Sequence, residues 1–155
     1  MIQRVQTIFM LIVVVITAAI FFLPIAVFTN EAESFKLTLT GIDGSDAIKQ
    51  TVNVNTIPLI ISVVVGAIFS FINIFLYRKR LLQIKINRFA ILLFSLYLAL
   101  MYFLYIDKIK TLFTVDNTSL MLSAALPIVN IILLFLANVR IRRDDKLVKS
   151  ADRLR

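Results

Sequence analysis

The sequence predicts an all-α membrane protein: an antiparallel bundle of four transmembrane helices, with a small extracytoplasmic β-hairpin between helices one and two. Three observations carry this reading. The 155-residue chain is 60% hydrophobic and has a mean hydropathy of +0.94, more apolar surface than one water-soluble core of that size buries. Four runs, residues 7–28, 57–77, 89–106 and 119–139, contain no Asp, Glu, Lys or Arg. At about 1.5 Å per residue, each approaches or exceeds the span of a hydrocarbon core of about 30 Å. Thirteen of the 17 Lys and Arg residues lie at the N-terminus, in the loop 78–88 and in the tail 140–155, against four in the alternate connections. Short basic loops stay in the cytoplasm during insertion, so both termini are expected inside and the chain forms a single membrane domain.

The first run follows Arg4 and exceeds the apolar region of a cleaved signal peptide, about 7 to 15 residues, so it reads as an uncleaved helix. Pro24 is expected to bend its outer half by removing one donor and crowding the Ile20 carbonyl. The external loop 29–56 alternates apolar and polar residues at 35–40 and again at 50–55, around the turn formers at 41–46. That pattern predicts a hairpin leaning on the helix ends, because an isolated hairpin is marginal in water. Asp43 and Asp46 flank Gly44 and Ser45 but lack the full oxygen set and closing Glu of a calcium loop, so turn chemistry accounts for them better.

The second run carries Pro58 in its first turn, where a missing donor costs little. Ser62, Gly66, Ser70 and Asn73 share one face, a pattern that lets a neighbouring helix approach closely. The loop 78–88 holds Arg78, Lys79, Arg80, Lys85 and Arg88 and no acidic residue. In the fourth run Ser123, Pro127 and Asn130 are expected to face the bundle, with the Ser123 hydroxyl near the carbonyl that Pro127 frees. Counting inward from the helix ends places Ser70, Ser95, Tyr97 and Asn130 about 9 to 13 Å deep, and Asn73 shallower. The expectation is a polar helix-packing layer of Ser70, Asn73, Ser95, Tyr97 and Asn130, in which Asn130 meets Tyr97 or Ser70.

The tail 140–155, read as a helix, places Leu147, Ala151 and Leu154 on one face, with Asp145 and Lys149 at pairing distance. It serves either as a solvated extension of the fourth helix or as a docking element. In the second case Arg78, Lys79, Arg80, Leu147, Ala151, Arg153 and Leu154 would meet anionic lipid headgroups or a cytoplasmic or membrane protein partner. The chain has no Cys and no His, which removes thiolate chemistry and the commonest general base and metal ligand. No catalytic, metal or cofactor residues are expected, and no enzymatic activity. Charges confined to helix junctions argue against nucleic acid. The functional expectation is a non-enzymatic scaffold or accessory protein acting through its cytoplasmic loop and tail. The alternative is a small oligomeric transporter or channel, although intramembrane charges are missing from the four runs.

The opening MIQRVQT, the loop segment LLQIKIN at 81–87 and the ending DKLVKSADRLR at 145–155 resemble an uncharacterised domain-of-unknown-function family of small bacterial integral membrane proteins, found among Bacteroidetes. The likeness covers essentially the whole chain. It implies a four-helix, multi-pass protein of the bacterial inner (cytoplasmic) membrane, and brings no functional residues with it.

Overall fold

The computed structural model describes residues 5–29, 34–44, 55–76, 79–112 and 117–153. In chain order these form α1 (Val5–Phe22), β1 (Ala26–Thr29), β2 (Ser34–Thr38), β3 (Gly41–Asp43), α2 (Ile57–Phe75), α3 (Arg80–Ala99), a π-helical segment (Leu100–Ile106), α4 (Asp107–Leu112), β4 (Asn117–Leu120) and α5 (Leu122–Arg153). The segment from α3 through α4 is one continuous rod. Each bundle helix packs on two others: α1 on α5 and α2, and α3 on α2 and α5. Met10 near the start of α1 lies by Gln83 of α3, Thr17 by Asn130 of α5, and Asn55 before α2 by Tyr105. Sequential helices therefore run antiparallel.

The buried stripes follow helical spacing. On α2 they are Leu59, Ser62, Val63, Gly66, Ser70 and Asn73. On the rod Gln83, Asn87, Ala90, Phe94 and Tyr97 continue into Met101 and Tyr105. Outside these stripes the helices remain apolar. About a third of α2 is buried, and its outward residues, among them Ile57, Ile61, Ile68, Phe71 and Phe75, are apolar, whereas a water-exposed helix would turn a polar face outward. Three helical spans, Ile57–Phe75, Arg80–Thr111 and Leu122–Val148, are long and apolar enough to cross a membrane, and the apolar part of α1, Gln6–Phe22, is shorter.

At one end a four-stranded antiparallel sheet, in the order β3-β2-β1-β4, caps the bundle. Its inward residues Ala26, Phe28, Phe35 and Leu37 join Ile20, Leu59, Met101 and Ile109 in one apolar cluster. Phe28 and Phe35 are register partners, and their rings stack 5.3 Å apart. Mid-bundle, Val13, Ala90, Phe94 and Leu134 form a second cluster. There Gly66 lets the Phe94 ring come close: a Cβ in its place would sit 3.2 Å from Phe94 Cζ, so the ring would have to give by a few tenths of an ångström.

Three expectations need correction. The first helix stops at Phe22, six residues short of position 28. Pro24 ends it rather than bending it, since proline pushes the preceding Leu23 out of the helical region. The released residues of β1 then find partners on both sides: Ala26 pairs with Leu37 and with Leu120. The sheet is accordingly larger than a hairpin, with β4 drawn from the expected start of the fourth helix, which instead begins at Leu122. The turn falls at Leu39 and Thr40, and Gly41 enters β3 with φ +151°, a conformation open mainly to glycine. Positions 45–54, which include Asp46 and most of the second alternating stretch, lie outside the described residues. Third, the loop 78–88 is mostly helix, because the buried stripe of α3 extends back to Gln83 and nothing from Arg80 onward breaks a helix. The tail carries on from Val139 without interruption as an extension of the fourth helix, in agreement with one of the two readings of it, and Ile141 is still buried.

Candidate functional site

The end opposite the sheet gathers exposed basic residues, Lys79, Lys85, Arg88, Arg140, Arg142 and Arg143, around a buried cluster of amides. The tight α2–α3 connection creates it. The Leu76 amide donates to the Asn73 carbonyl at 3.3 Å and the Lys79 amide to the Leu76 carbonyl at 2.9 Å, which folds the start of α3 back onto the last turn of α2. Asn73 Nδ2 then donates to the Gln83 carbonyl at 3.1 Å, and Gln83 Nε2 returns a bond to the Asn73 carbonyl at 3.1 Å. A carbonyl in the final turn of a helix lacks its regular donor, and that of Asn73 accepts instead from both the Leu76 amide and the Gln83 side chain.

From there the chain of bonds crosses the bundle. Asn73 Nδ2 also donates to Asn87 Oδ1 at 2.6 Å, and Asn87 Nδ2 donates to Asn138 Oδ1 on α5 at 3.2 Å. Gln83 Nε2 lies 3.8 Å from Met10 Sδ on α1. All four bundle helices are thereby joined at one level. Asn73, Gln83 and Asn87 are fully buried, and Asn138 nearly so. Beneath them the Arg80 guanidinium donates to the Asp144 carbonyl at 3.2 Å, fixing the start of α3 against α5 beyond the apolar core.

Amides neither gain nor lose protons near neutrality, so this cluster performs no acid–base chemistry; it orients helices and accepts or donates hydrogen bonds. Among the described residues, Asn73 Oδ1, Gln83 Oε1 and Gln6 Oε1, on the first turn of α1, are buried acceptors without a partner. Buried carbonyls of that kind suit ordered water.

The expected packing layer is divided between two levels. Asn73 joins the amide cluster. Asn130 Nδ2 donates to Thr17 Oγ1 at 3.0 Å, whereas Tyr97 and Ser70 had been its expected partners. Thr17 is held by its own bond to the Val13 carbonyl at 2.7 Å. The Ser70 hydroxyl is buried and donates to Gly66 of its own helix at 2.9 Å. Tyr97 is buried and, among the described residues, its hydroxyl has no partner. Ser95 points outward and bonds the Ile91 carbonyl at 2.9 Å, because two residues of α-helix turn it about 200° from the stripe that contains Tyr97. The packed Val13, Ala90, Phe94 and Leu134 separate the two polar levels. The Ser123 hydroxyl reaches the Pro24 carbonyl, tying α5 to the end of α1; it does not compensate for Pro127.

Of the docking candidates, Lys79 and Leu147 are exposed and Arg80 is half-buried. Ala151 and Arg153 lie in the last turn of α5, and Arg78 and Leu154 fall outside the described residues. Gln83, Asn87 and Asn138 were not anticipated. The signal for Gln83 and Asn87 was the file 83–87–90–94–97, which runs from the supposed loop into the helix without a change of period; Asn138, on α5, had none.

The family model described as "Domain of unknown function (DUF4293)" matches residues 2–154. No curated protein and no solved structure matches the chain.

Proposed function

We propose, from the premise that this chain belongs to the DUF4293 family, that it is a multi-pass protein of the bacterial cytoplasmic membrane acting as a non-enzymatic scaffold or accessory subunit. The basic end faces the cytoplasm and the sheet faces outward, in keeping with the bias of Lys and Arg toward one end. The observation that carries the functional reading is α5. Beyond Asn138 it continues to Arg153, about 22 Å of helix at 1.5 Å per residue. Arg142, Arg143 and Lys146 are exposed on it, and so are Leu147 and Val148, at 68% and 42%. A helix that only anchored topology would need the charges but not the exposed apolar pair. Each basic residue near an anionic surface contributes about 1 kcal/mol, while the apolar pair suits a partner or the lipid boundary.

The alternative, a small oligomeric transporter or channel, would need a wet path. Within one bundle the fully buried Val13, Ala90, Phe94 and Leu134 interrupt such a path between Asn73 and Asn130. Affinity capture from crosslinked native membranes tests the scaffold reading, with the full chain compared against a truncation after Arg143 that keeps the amide cluster. A partner enriched at least tenfold by the full chain and lost on truncation is the expected result. Identical capture by both forms would overturn docking through the tail and direct effort to reconstituted flux assays.

A further inference from the structure

We infer that Arg88 of α3 and Arg142 of α5 clamp the phosphate of one anionic phospholipid, phosphatidylglycerol in chemical class, at the cytoplasmic end of the crevice between the two helices; this rests on the membrane orientation proposed above. The crevice can be followed along both walls. Ala99 of α3 and Ile128 of α5 line its sheet-side part. On α3, Ser95 precedes Ala99 by four residues and Arg88 precedes Ser95 by seven, and all three are exposed. On α5, Phe135 and Arg142 follow Ile128 at intervals of seven, and these too are exposed. Such steps return to within about 40° of the starting direction on an α-helix. Both files therefore carry the walls of the crevice down to the two arginines.

Arg88 stands at a membrane boundary. The run 89–106 separates it from Asp107 without a charge, about 28 Å at 1.5 Å per residue, against a hydrocarbon core of about 30 Å. Asn87 bonds Asn138 across the same pair of helices. Counting from that bond in the antiparallel pair, Arg142 lies about 7 Å beyond Arg88 toward the cytoplasm. An arginine stem lies along apolar surface while its head turns to the headgroup level, so the two guanidinium groups meet a phosphate from opposite sides. Each presents a planar fork that matches phosphate oxygens. Phe135, 61% exposed, offers apolar surface to the acyl chain above them.

Charge selects the headgroup. Lys146 is exposed one turn beyond Arg142, on the same face. Among the described residues, Arg88, Arg142 and Lys146 make no hydrogen bond or ion pair. The neighbouring carboxylates do not balance them: Asp144 and Asp145 are half-buried, Asp145 is already engaged, and Asp144 is turned about 200° around α5 from Arg142. An ammonium in the headgroup would meet basic side chains with no exposed carboxylate to accept from it. A phosphate whose headgroup carries only hydroxyls meets no such conflict.

The test is native mass spectrometry of the full chain ejected from nanodiscs containing equal parts phosphatidylglycerol, phosphatidylethanolamine and phosphatidylcholine. The wild type is expected to retain one phosphatidylglycerol, enriched about tenfold over the other two. Arg88→Gln and Arg142→Gln should each reduce that enrichment at least threefold. Arg143→Gln removes the same charge from an exposed position turned about 100° around α5 from Arg142, and should leave the enrichment unchanged. Retention in the bulk ratio, or an equal loss in all three variants, which would mean diffuse attraction to the basic end, would overturn the site while leaving the membrane reading intact. A chain that fails to enter nanodiscs and stays soluble without detergent would overturn both.

Discussion

The two ends of this bundle are closed by different physics. At the sheet end a large apolar cluster is sealed by backbone bonds: Ile25 donates to the Leu37 carbonyl at 2.7 Å and Met121 to the Ile25 carbonyl at 3.0 Å. At the basic end the apolar cluster is small, essentially Met10, Ile84, Ala137 and Ile141, and side-chain amides make the connections between helices. Burial of apolar volume is strong but tolerant of sliding and repacking. Amide exchange is weaker per bond yet directional, since a displaced partner leaves a buried polar group unsatisfied. The sheet end therefore supplies most of the stability, and the basic end fixes the rotation of each helix and so the direction in which α5 leaves the bundle.

Substitutions can break or sharpen this contrast. The largest effect should come from Phe28→Ala, which empties a fully buried site and should cost about 3–5 kcal/mol, read as a lowered unfolding midpoint in detergent. Asn87→Leu comes next. It removes both the acceptor of Asn73 and the donor to Asn138, and should cost about 2–3 kcal/mol through the orphaned partners. It should also widen the range of spin-label distances between α3 and the projecting part of α5, a change Phe28→Ala should not produce; equal broadening in both would erase the contrast. Gly66→Ala forces a Cβ against Phe94 in the packed middle layer and should cost about 1 kcal/mol. Asn130→Leu gives up a single bond to Thr17 and is expected to lower stability by only about 0.6 kcal/mol. Ser95→Ala, on the outward face, should stay within about 0.5 kcal/mol of the wild type.

The difference between the ends also explains what the sequence disclosed. Apolar runs and basic loops show where helices lie, so four helices and the buried face of α2 were legible from length and spacing alone. The sheet was half legible: the alternation at 35–40 was visible. β1 was hidden because Ala26-Val27-Phe28-Thr29 continues the apolar run of helix one, and only Pro24 marks the break. β4 was hidden because Asn117–Leu120 is too short for a periodic signal and takes its structure from pairing with β1. At the site, Asn73 was recognised through its small neighbours on α2. Gln83 and Asn87 were concealed by the basic residues around them, which read as loop although their own spacing was helical. The bond between Asn130 and Thr17 joins residues 113 positions apart. Neither depth nor spacing reveals which helices are neighbours.

The orientation of the two ends is the claim on which docking and lipid binding both depend. Because the chain contains no cysteine, single cysteines can be placed without background. Asp43→Cys on β3 and Lys146→Cys on α5 lie at exposed positions at opposite ends. Labelling of intact spheroplasts with a membrane-impermeant maleimide should modify the first at once and the second only after the membrane is opened. The reverse pattern, or immediate modification of both, would contradict the account.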